Sequence, residues 1–184
     1  MAGRPIRRVS ILLAACGGVL AACGSGGAPG EREVRVDVAQ VIRDAAGNPV
    51  ILLEERDGDR RLPIWIGLPE ARSIAARLEQ IEPVRPNTHD LAKSLLEGLG
   101  GRVERVVVTE LRERTYYGLI VVRGPDGSVE IDSRPSDAIA LALRLDAPIL
   151  VRETLLEEAG RDAEPAAPAG RRVRFRGERE ARSG

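Results

Sequence analysis

The spacing of apolar and polar residues changes several times along the chain, and each change marks a predicted element. Between residues 31 and 42 valines alternate with charged residues, as in a half-buried strand: Val34, Val36 and Val38. Two further strands are predicted over residues 49–56 and 60–66. The segment Asp57-Gly58-Asp59 between them is typical of a tight turn. This part of the chain therefore predicts a strand followed by a β-hairpin.

The apolar spacing becomes helical after residue 69. Over residues 69–81 apolar positions recur at intervals of three and four: Ala71, Ile74, Ala75, Leu78 and Ile81. A second helix carries a leucine stripe, and Gly100-Gly101 ends it: Leu91, Leu95, Leu96 and Leu99. Thr88 is its predicted N-cap because a threonine side chain accepts a hydrogen bond from a first-turn N–H.

The second half of the chain repeats this mixture. Strands are predicted over residues 103–111 and 116–122, then a short strand ending at Asp132, a helix over 138–145, a strand over 148–151 and a helix over 153–159. Hairpins grouped around helices favour an α+β fold. We predict a compact single domain over residues 32–159, with a mixed or antiparallel sheet and about three to four helices. Residues 160–184 lack an apolar period and are predicted to be a disordered tail.

The N-terminal segment is typical of an export signal. Arg4, Arg7 and Arg8 precede an apolar run that closes on Leu20-Ala21-Ala22-Cys23, the cleavage pattern of bacterial lipoproteins. This predicts a signal peptide over residues 1–22, a lipid on Cys23 and a flexible tether over residues 23–31. The protein is then expected to be exported and lipid-anchored to the cell membrane, on its periplasmic or extracellular face. Cys16 follows the same pattern behind a shorter apolar core, and an ordinary signal peptide with an incidental cysteine is the alternative.

The charge balance and the positions of the cysteines exclude some classes of function for this chain. The chain has 28 basic and 28 acidic residues, so it lacks the strongly basic character of a dedicated nucleic-acid binder. Any contact with RNA or DNA would therefore use a local patch. Both cysteines lie in the N-terminal segment, which excludes a disulfide framework or a cysteine metal site in the predicted domain.

One polar cluster, Asp132-Ser133-Arg134-Pro135-Ser136-Asp137, lies where a predicted strand ends and a helix begins. Unpaired N–H groups at a helix start suit phosphate. Arg134 and Ser136 are therefore candidate substrate-binding residues. Asp132 and Asp137 are candidate ligands of a divalent cation such as Mg²⁺ or Mn²⁺. The alternative is structural: Ser136 and Asp137 cap the helix, and Arg134 pairs with Asp132.

A second cluster, Arg85-Pro86-Asn87-Thr88-His89-Asp90, contains the only histidine. Beside Asp90, His89 is a candidate general base or metal ligand. The alternative is that Thr88 caps the helix, Asp90 complements its dipole and His89 packs on the surface. The only tryptophan, Trp65, is a candidate for stacking a base, but its place in a predicted strand favours a core position. No chymotrypsin-like triad or glycine-rich phosphate loop is recognisable in the sequence.

These clusters occur in the order that is typical of one family. The segments Leu62-Pro63-Ile64-Trp65-Ile66-Gly67, Arg85 to Leu91 and Asp132 to Ala142 resemble the bifunctional nuclease (DUF151) domain over about residues 34–156. The resemblance implies a compact α+β fold, self-association and nuclease activity on RNA and DNA. By position it marks a set of polar residues: Glu70, Arg85, Thr88, His89, Asp90, Asp132, Arg134, Ser136 and Asp137. The family is mostly intracellular, so the export signal departs from its pattern.

The leading hypothesis is a metal-dependent nuclease of low specificity on a membrane-anchored lipoprotein, which self-associates and acts on RNA or DNA. Its candidate catalytic residues are His89, Asp90, Asp132 and Asp137, with Asp132 and Asp137 as metal ligands. Its substrate-binding candidates are Arg85, Arg134 and Ser136, and we expect the clusters to meet in one pocket. The rivals are a non-catalytic binding or assembly module and a small-anion or nucleotide sensor at Ser136.

Overall fold

The structure, a computed structural model, describes residues 32–162. In chain order these residues form β1 (Glu33–Arg43), β2 (Pro49–Glu55), β3 (Arg61–Trp65), α1 (Leu68–Leu78), α2 (Thr88–Gly98), β4 (Arg102–Arg112), β5 (Thr115–Gly124), β6 (Gly127–Ser133), α3 (Pro135–Leu145), β7 (Ile149–Arg152) and α4 (Glu153–Asp162). The predicted signal peptide, the tether up to residue 31 and the predicted tail from residue 163 lie outside the described residues. Residues 160–162, predicted to belong to the tail, are helical.

The strands form one seven-stranded sheet in the order β3-β2-β1-β7-β4-β5-β6. The first three strands and the next three are antiparallel meanders, and the late strand β7 joins them, antiparallel to β1 and parallel to β4. The predicted hairpin is confirmed, since β2 and β3 pair in register with Leu53 opposite Leu62. The α+β class with a mixed sheet is therefore correct.

One face of the sheet carries the main apolar core. Alternate residues of the strands point towards this face and pack against α1, α3 and α4. Its fully buried strand residues include Ile51, Leu53, Leu62, Val106, Val108 and Val151, and the helices add Ile74, Ile139 and Leu156. This core holds α1 and α3 side by side on the sheet.

The prediction that Trp65 belongs to the core is wrong. Leu62 and Ile64 on β3 are buried, so alternation places Trp65 on the opposite face of this edge strand. The side chain is 54% exposed. Its ring Nε1–H donates to Asp44 Oδ2 at 3.0 Å.

Local hydrogen bonds fix the start of α2. Asn87, rather than the predicted Thr88, is the N-cap of α2: its side chain accepts from the N–H groups of His89 and Asp90, and Asp90 accepts from the Asn87 N–H in return.

The start of α3 lies close to β5 at Gly118. A Cβ there would lie 3.1 Å from the Val107 carbonyl oxygen and 3.5 Å from the Pro135 Cα, which leaves little room for a side chain.

Helix α2 packs along α3 at the margin of the domain, and none of its residues is buried. Three leucines of its predicted apolar stripe are exposed: Leu91, Leu95 and Leu99. Only Leu96 packs partly against the core. Within residues 32–162, no helix has the length and apolar character that crossing a membrane requires.

Candidate functional site

The first turns of three helices meet at one place. Glu70 belongs to the first turn of α1, His89 to that of α2 and Asp137 to that of α3, and side-chain hydrogen bonds connect all three turns. The first turn of a helix presents unpaired N–H groups and a partial positive charge. In this protein, carboxylates of the three first turns lie in that positive field, together with one histidine.

Arg134 connects two of these turns. Its Nε donates to Asp137 Oδ2 at 2.6 Å, and its Nη2 donates to Asp137 Oδ1 at 3.0 Å and to Glu70 Oε1 at 2.8 Å. No described residue accepts from Nη1, and the side chain is 66% exposed. Since a guanidinium has five N–H donors in a planar fork, Arg134 keeps donors for an incoming anion.

His89 lies between Asp137 and a serine of α1. Its Nε2 is 3.2 Å from Asp137 Oδ1, and its Nδ1 is 2.9 Å from Ser73 Oγ. An ionised carboxylate only accepts hydrogen bonds, so Nε2 carries the proton in a neutral ring, and Nδ1 then accepts from the Ser73 hydroxyl. The two contacts therefore select one tautomer of the neutral ring.

The serine, histidine and aspartate thus lie in one hydrogen-bonded line, although no triad was recognisable in the sequence. Ser73 is not placed as a nucleophile, because it is only 7% exposed and its oxygen also accepts from Arg144 Nη2 at 2.9 Å. The ring contacts also differ from a serine-protease triad, where the serine faces Nε2 and the aspartate faces Nδ1. Ser73 holds the ring of His89 in position.

Arg144 is the buried end of this network, with 7% of its surface exposed. Its Nε donates to Asp90 Oδ1 at 2.6 Å, its Nη1 to the Ala140 carbonyl at 2.9 Å and its Nη2 to Ser73. The other oxygen of Asp90 accepts from the Asn87 N–H at 2.9 Å. One oxygen of Asp90 therefore holds α2 against α3 through Arg144, and the other caps the start of α2 itself.

The hydrogen bonds of the network favour the ionised forms of Asp90, Asp137 and Arg134. Burial acts to raise the pKa of Asp137, but hydrogen bonds from Arg134 and His89 outweigh it and hold the pKa below its ordinary value. Burial likewise acts to raise the pKa of Asp90, and the Asn87 N–H and Arg144 lower it further than burial raises it. The pKa of Arg134 is raised by its hydrogen bonds to Asp137 and Glu70.

The structure brings some of the predicted site residues together and separates others. His89, Asp137 and Arg134 share one network, and Asp90 joins it through Arg144 and Ser73. Ser136 is buried in the first turn of α3. Arg85 is exposed in the segment between α1 and α2 and has no hydrogen bond or ion pair to a described residue.

Asp132 lies apart from this network. In the sheet register it pairs with Leu119, whereas its neighbour Ile131 pairs with Ile120, which belongs to the helix-facing core. Alternation therefore points Asp132 towards the sheet face that lies away from α3, the helix that carries Asp137.

The donor set does not favour a divalent cation at the predicted position. Asp132 and Asp137 belong to opposite sides of the sheet, and both Glu70 and Asp137 are paired with the guanidinium of Arg134. Divalent cations prefer several oxygen ligands together. Residues 32–162 contain no group of three or more histidine, cysteine, aspartate or glutamate side chains arranged to hold a metal. We therefore assign no chemical step to a cation.

Sequence reasoning missed Ser73 and Arg144. Arg144 carried a usable signal, because it is the single charged residue within the apolar run 138–145. A buried arginine needs an acidic partner, and Asp90 was available. Ser73 carried only a weak signal, as a poor helix former inside an otherwise regular helix.

Comparison with known proteins identifies the family to which the chain belongs. An uncharacterized protein of Mycobacterium tuberculosis (strain ATCC 25618 / H37Rv) is 43% identical over 128 residues, which are 70% of this chain and 76% of that protein. Bifunctional nuclease 1 of Oryza sativa subsp. indica is 31% identical over 123 residues, 65% of this chain and 37% of the rice protein. Bifunctional nuclease 2 of Arabidopsis thaliana is 29% identical over 119 residues, 62% of this chain. The chain thus spans well under half of the rice nuclease.

The family model of the bifunctional nuclease domain matches residues 51–164 of the sequence. This range covers more than half of the chain and contains the whole Glu70–Arg134–Asp137–His89 network. The resemblance inferred from the sequence motifs is confirmed. The chain belongs to the bifunctional nuclease domain family.

Proposed function

We propose that the domain hydrolyses phosphodiester bonds of RNA or DNA at the junction of the three helix starts. The observation that carries the proposal is the exposed guanidinium of Arg134, which keeps unused N–H donors. It lies with a carboxylate and a histidine at helix N-termini, where the partial charge is positive. Arginine forks match phosphate oxygens. Family membership supports a nuclease assignment, and the names of the plant relatives indicate the same activity for those proteins.

Each residue of the network has a role in this proposal. Arg134 binds non-bridging phosphate oxygens through Nη1. Asp137 accepts three hydrogen bonds from Arg134 and His89, and its two oxygens together offer about four acceptor sites, so one acceptor site is left for the attacking water. His89 positions Asp137, and Ser73 positions His89. Asp90 and Arg144 support the helices and do not contact the phosphate at which cleavage is proposed.

The same geometry supports low specificity. Contacts from a guanidinium to backbone phosphates carry no direct information about the base sequence. RNA and DNA share this backbone chemistry, so both are expected substrates. The divalent cation that the sequence predicts remains a prediction, which the assay below tests.

The direct test is to incubate the purified protein with labelled RNA and DNA in Mg²⁺, in Mn²⁺ and in EDTA. We expect cleavage of both nucleic acids, and the EDTA sample decides whether a cation is needed. If the protein binds nucleic acid under all three conditions and cleaves none, the domain is a non-catalytic binding module and the proposal is wrong.

We further propose that Cys23 carries a lipid that anchors the exported protein to the cell membrane. The support is the Leu20-Ala21-Ala22-Cys23 pattern behind a basic and apolar segment. Cys23→Ala should abolish incorporation of a radiolabelled fatty acid, and Cys16→Ala is the matched control and should leave it unchanged. Equal labelling of the Cys23→Ala variant and the unchanged protein would contradict the proposal.

We also propose that the chain self-associates through α2. Its exposed leucines Leu91, Leu95 and Leu99 form one side of the helix, and Leu99 exposes 78% of its surface. Apolar side chains that cluster on a surface favour an interface with another protein surface. A second copy of the chain presents the same leucines, so two copies can bury them against each other around a twofold axis.

A further inference from the structure

A cleft of about 590 Å³ lies between α1, the segment that follows it and α2. Its lining includes Ser73, Asp90 and Arg144 of the network described above, and Ser73 and Arg144 are buried. Clefts of this volume are typical of sites that hold one small-molecule-sized unit. Arg134, Asp137 and His89 are not among the described residues that line this cleft.

The charge of the cleft is unbalanced. Four cationic side chains line it and only two carboxylates: Arg72, Arg77, Lys93 and Arg144 against Glu82 and Asp90. Asp90 is already paired with Arg144. The lining therefore keeps an excess of positive charge that attracts an anion.

Two of these cations are available to a ligand. Arg72 is exposed and has no hydrogen bond or ion pair to any residue of the described range. Lys93 has only a long contact to Glu97, at 3.9 Å on the same helix. Arg77, by contrast, donates to the Leu143 carbonyl at 2.9 Å and lies 3.7 Å from Asp146. Arg72 on α1 and Lys93 on α2 are thus the pair that can reach an anion from both helices.

The cleft lies next to the proposed reaction site. Ser73 is one of the residues that line the cleft, and its side chain contacts His89 Nδ1 at 2.9 Å. A ligand that contacts Ser73 in the cleft is therefore separated from His89 by one side chain. None of the described residues lining the cleft is aromatic, so recognition of a base by stacking is not expected there.

We propose that this cleft binds the phosphate backbone of a single-stranded nucleic acid next to the bond that is cleaved, with Arg72 and Lys93 as the phosphate-binding residues. This inference rests on the proposed function. One nucleotide of a single strand fits the volume of the cleft. A single strand can bend into the cleft, whereas a duplex is stiff over a length much greater than a cleft of this size. The cleft therefore gives the domain a preference for single strands.

The test is fluorescence anisotropy of the full chain with a short fluorescein-labelled single-stranded RNA in EDTA. Arg72→Gln and Lys93→Gln should each weaken binding by about tenfold, because each removes a charge-assisted contact to phosphate. Arg35→Gln is the matched control: Arg35 is exposed on β1 and points away from the helices, so affinity should change by less than about twofold. Arg72 has no partner among the described residues, so its replacement is expected to leave folding intact.

A combined Arg72→Gln and Lys93→Gln variant that binds the single strand as well as the unchanged protein would overturn the inference. Tighter binding of the duplex form of the same sequence would also overturn it. These outcomes are distinct from failure of the proposed function. If the variants lose affinity as expected while the unchanged protein cleaves no RNA in any metal, the cleft inference holds and the nuclease proposal is wrong.

Discussion

His89 Nε2 lies 3.2 Å from Asp137 Oδ1, although 48 positions separate the two residues in the chain. The contact exists because α2 and α3 both begin at the same margin of the core, and because Ser73 holds the other ring nitrogen. It joins the two polar clusters that the sequence marked separately. The expectation that both helix starts meet at one place is met for these two residues.

The first prediction concerns the tautomer of His89. Since the chain has one histidine, its ring nitrogen signals in a ¹⁵N NMR spectrum need no further assignment. We expect the neutral ring to carry its proton on Nε2, because Asp137 can only accept there. Ser73→Ala removes the donor to Nδ1 and should lower kcat by about tenfold or more with little change in KM. A neutral ring protonated on Nδ1 would contradict this hydrogen-bond arrangement.

The second prediction concerns Asp90 and Arg144. Asp90→Asn leaves the buried guanidinium without its counter-ion and should destabilise the fold by about 2–3 kcal/mol, below the usual cost for a fully buried pair because Asp90 is partly exposed. Adding Arg144→Met removes the unpaired charge. The double variant should therefore be at least about 1 kcal/mol more stable than the sum of the single effects predicts. Additive effects in urea denaturation would show that the pair contributes no coupling.

The third prediction concerns acid stability. Asp90 and Asp137 have pKa values below their ordinary range in the folded state, so the unfolded chain binds their protons first as pH falls. Their contribution is complete above the unfolded-state pKa of about 3.9 and is lost as pH falls through the folded values. We expect the free energy of unfolding to fall progressively below about pH 5, as measured by urea denaturation. The fall should be shallower in Asp137→Asn, and an identical pH dependence in both proteins would contradict this assignment.

The fourth prediction concerns self-association. Leu95→Lys places a charge in the middle of the exposed side of α2 and should weaken association by about tenfold or more, measured by analytical ultracentrifugation. Leu111→Lys is the control, since Leu111 is also exposed but lies on β4. If Leu95→Lys associates as the unchanged protein does, α2 is not the interface.

The sequence predicted the described strands and helices because their apolar periods of two and between three and four residues are local properties. The prediction for Trp65 was wrong because an aromatic residue in a strand was assumed to belong to the core. On an edge strand, the alternation that buries Leu62 and Ile64 turns Trp65 outwards. The leucine stripe of α2 was predicted correctly as a pattern. The apolar pattern does not show which part of the protein packs against the stripe, and in this domain three of those leucines are exposed.

The candidate site was only partly predictable for a related reason. The motif residues were recognisable because they lie at predicted helix starts. The pairing of Asp90 with Arg144, however, joins residues 54 positions apart and depends on how α2 packs along α3. The separation of Asp132 from Asp137 depends on which face of the sheet α3 covers. Sequence proximity suggested that these two carboxylates meet, and strand alternation places them on opposite sides.

The measurement that tests the account most directly is the cleavage rate of single-stranded RNA by the unchanged protein, Arg134→Gln and Asp137→Asn. We expect both variants to lose at least about a hundredfold in rate, because they remove the phosphate clamp and the group that positions water. Because Arg134 is mostly exposed, its replacement should cost less than about 1 kcal/mol of stability. Arg56→Gln, which breaks an exposed pair with Asp37, should cleave normally. Full activity in both site variants, or no cleavage by the unchanged protein in Mg²⁺, Mn²⁺ or EDTA, would contradict the account.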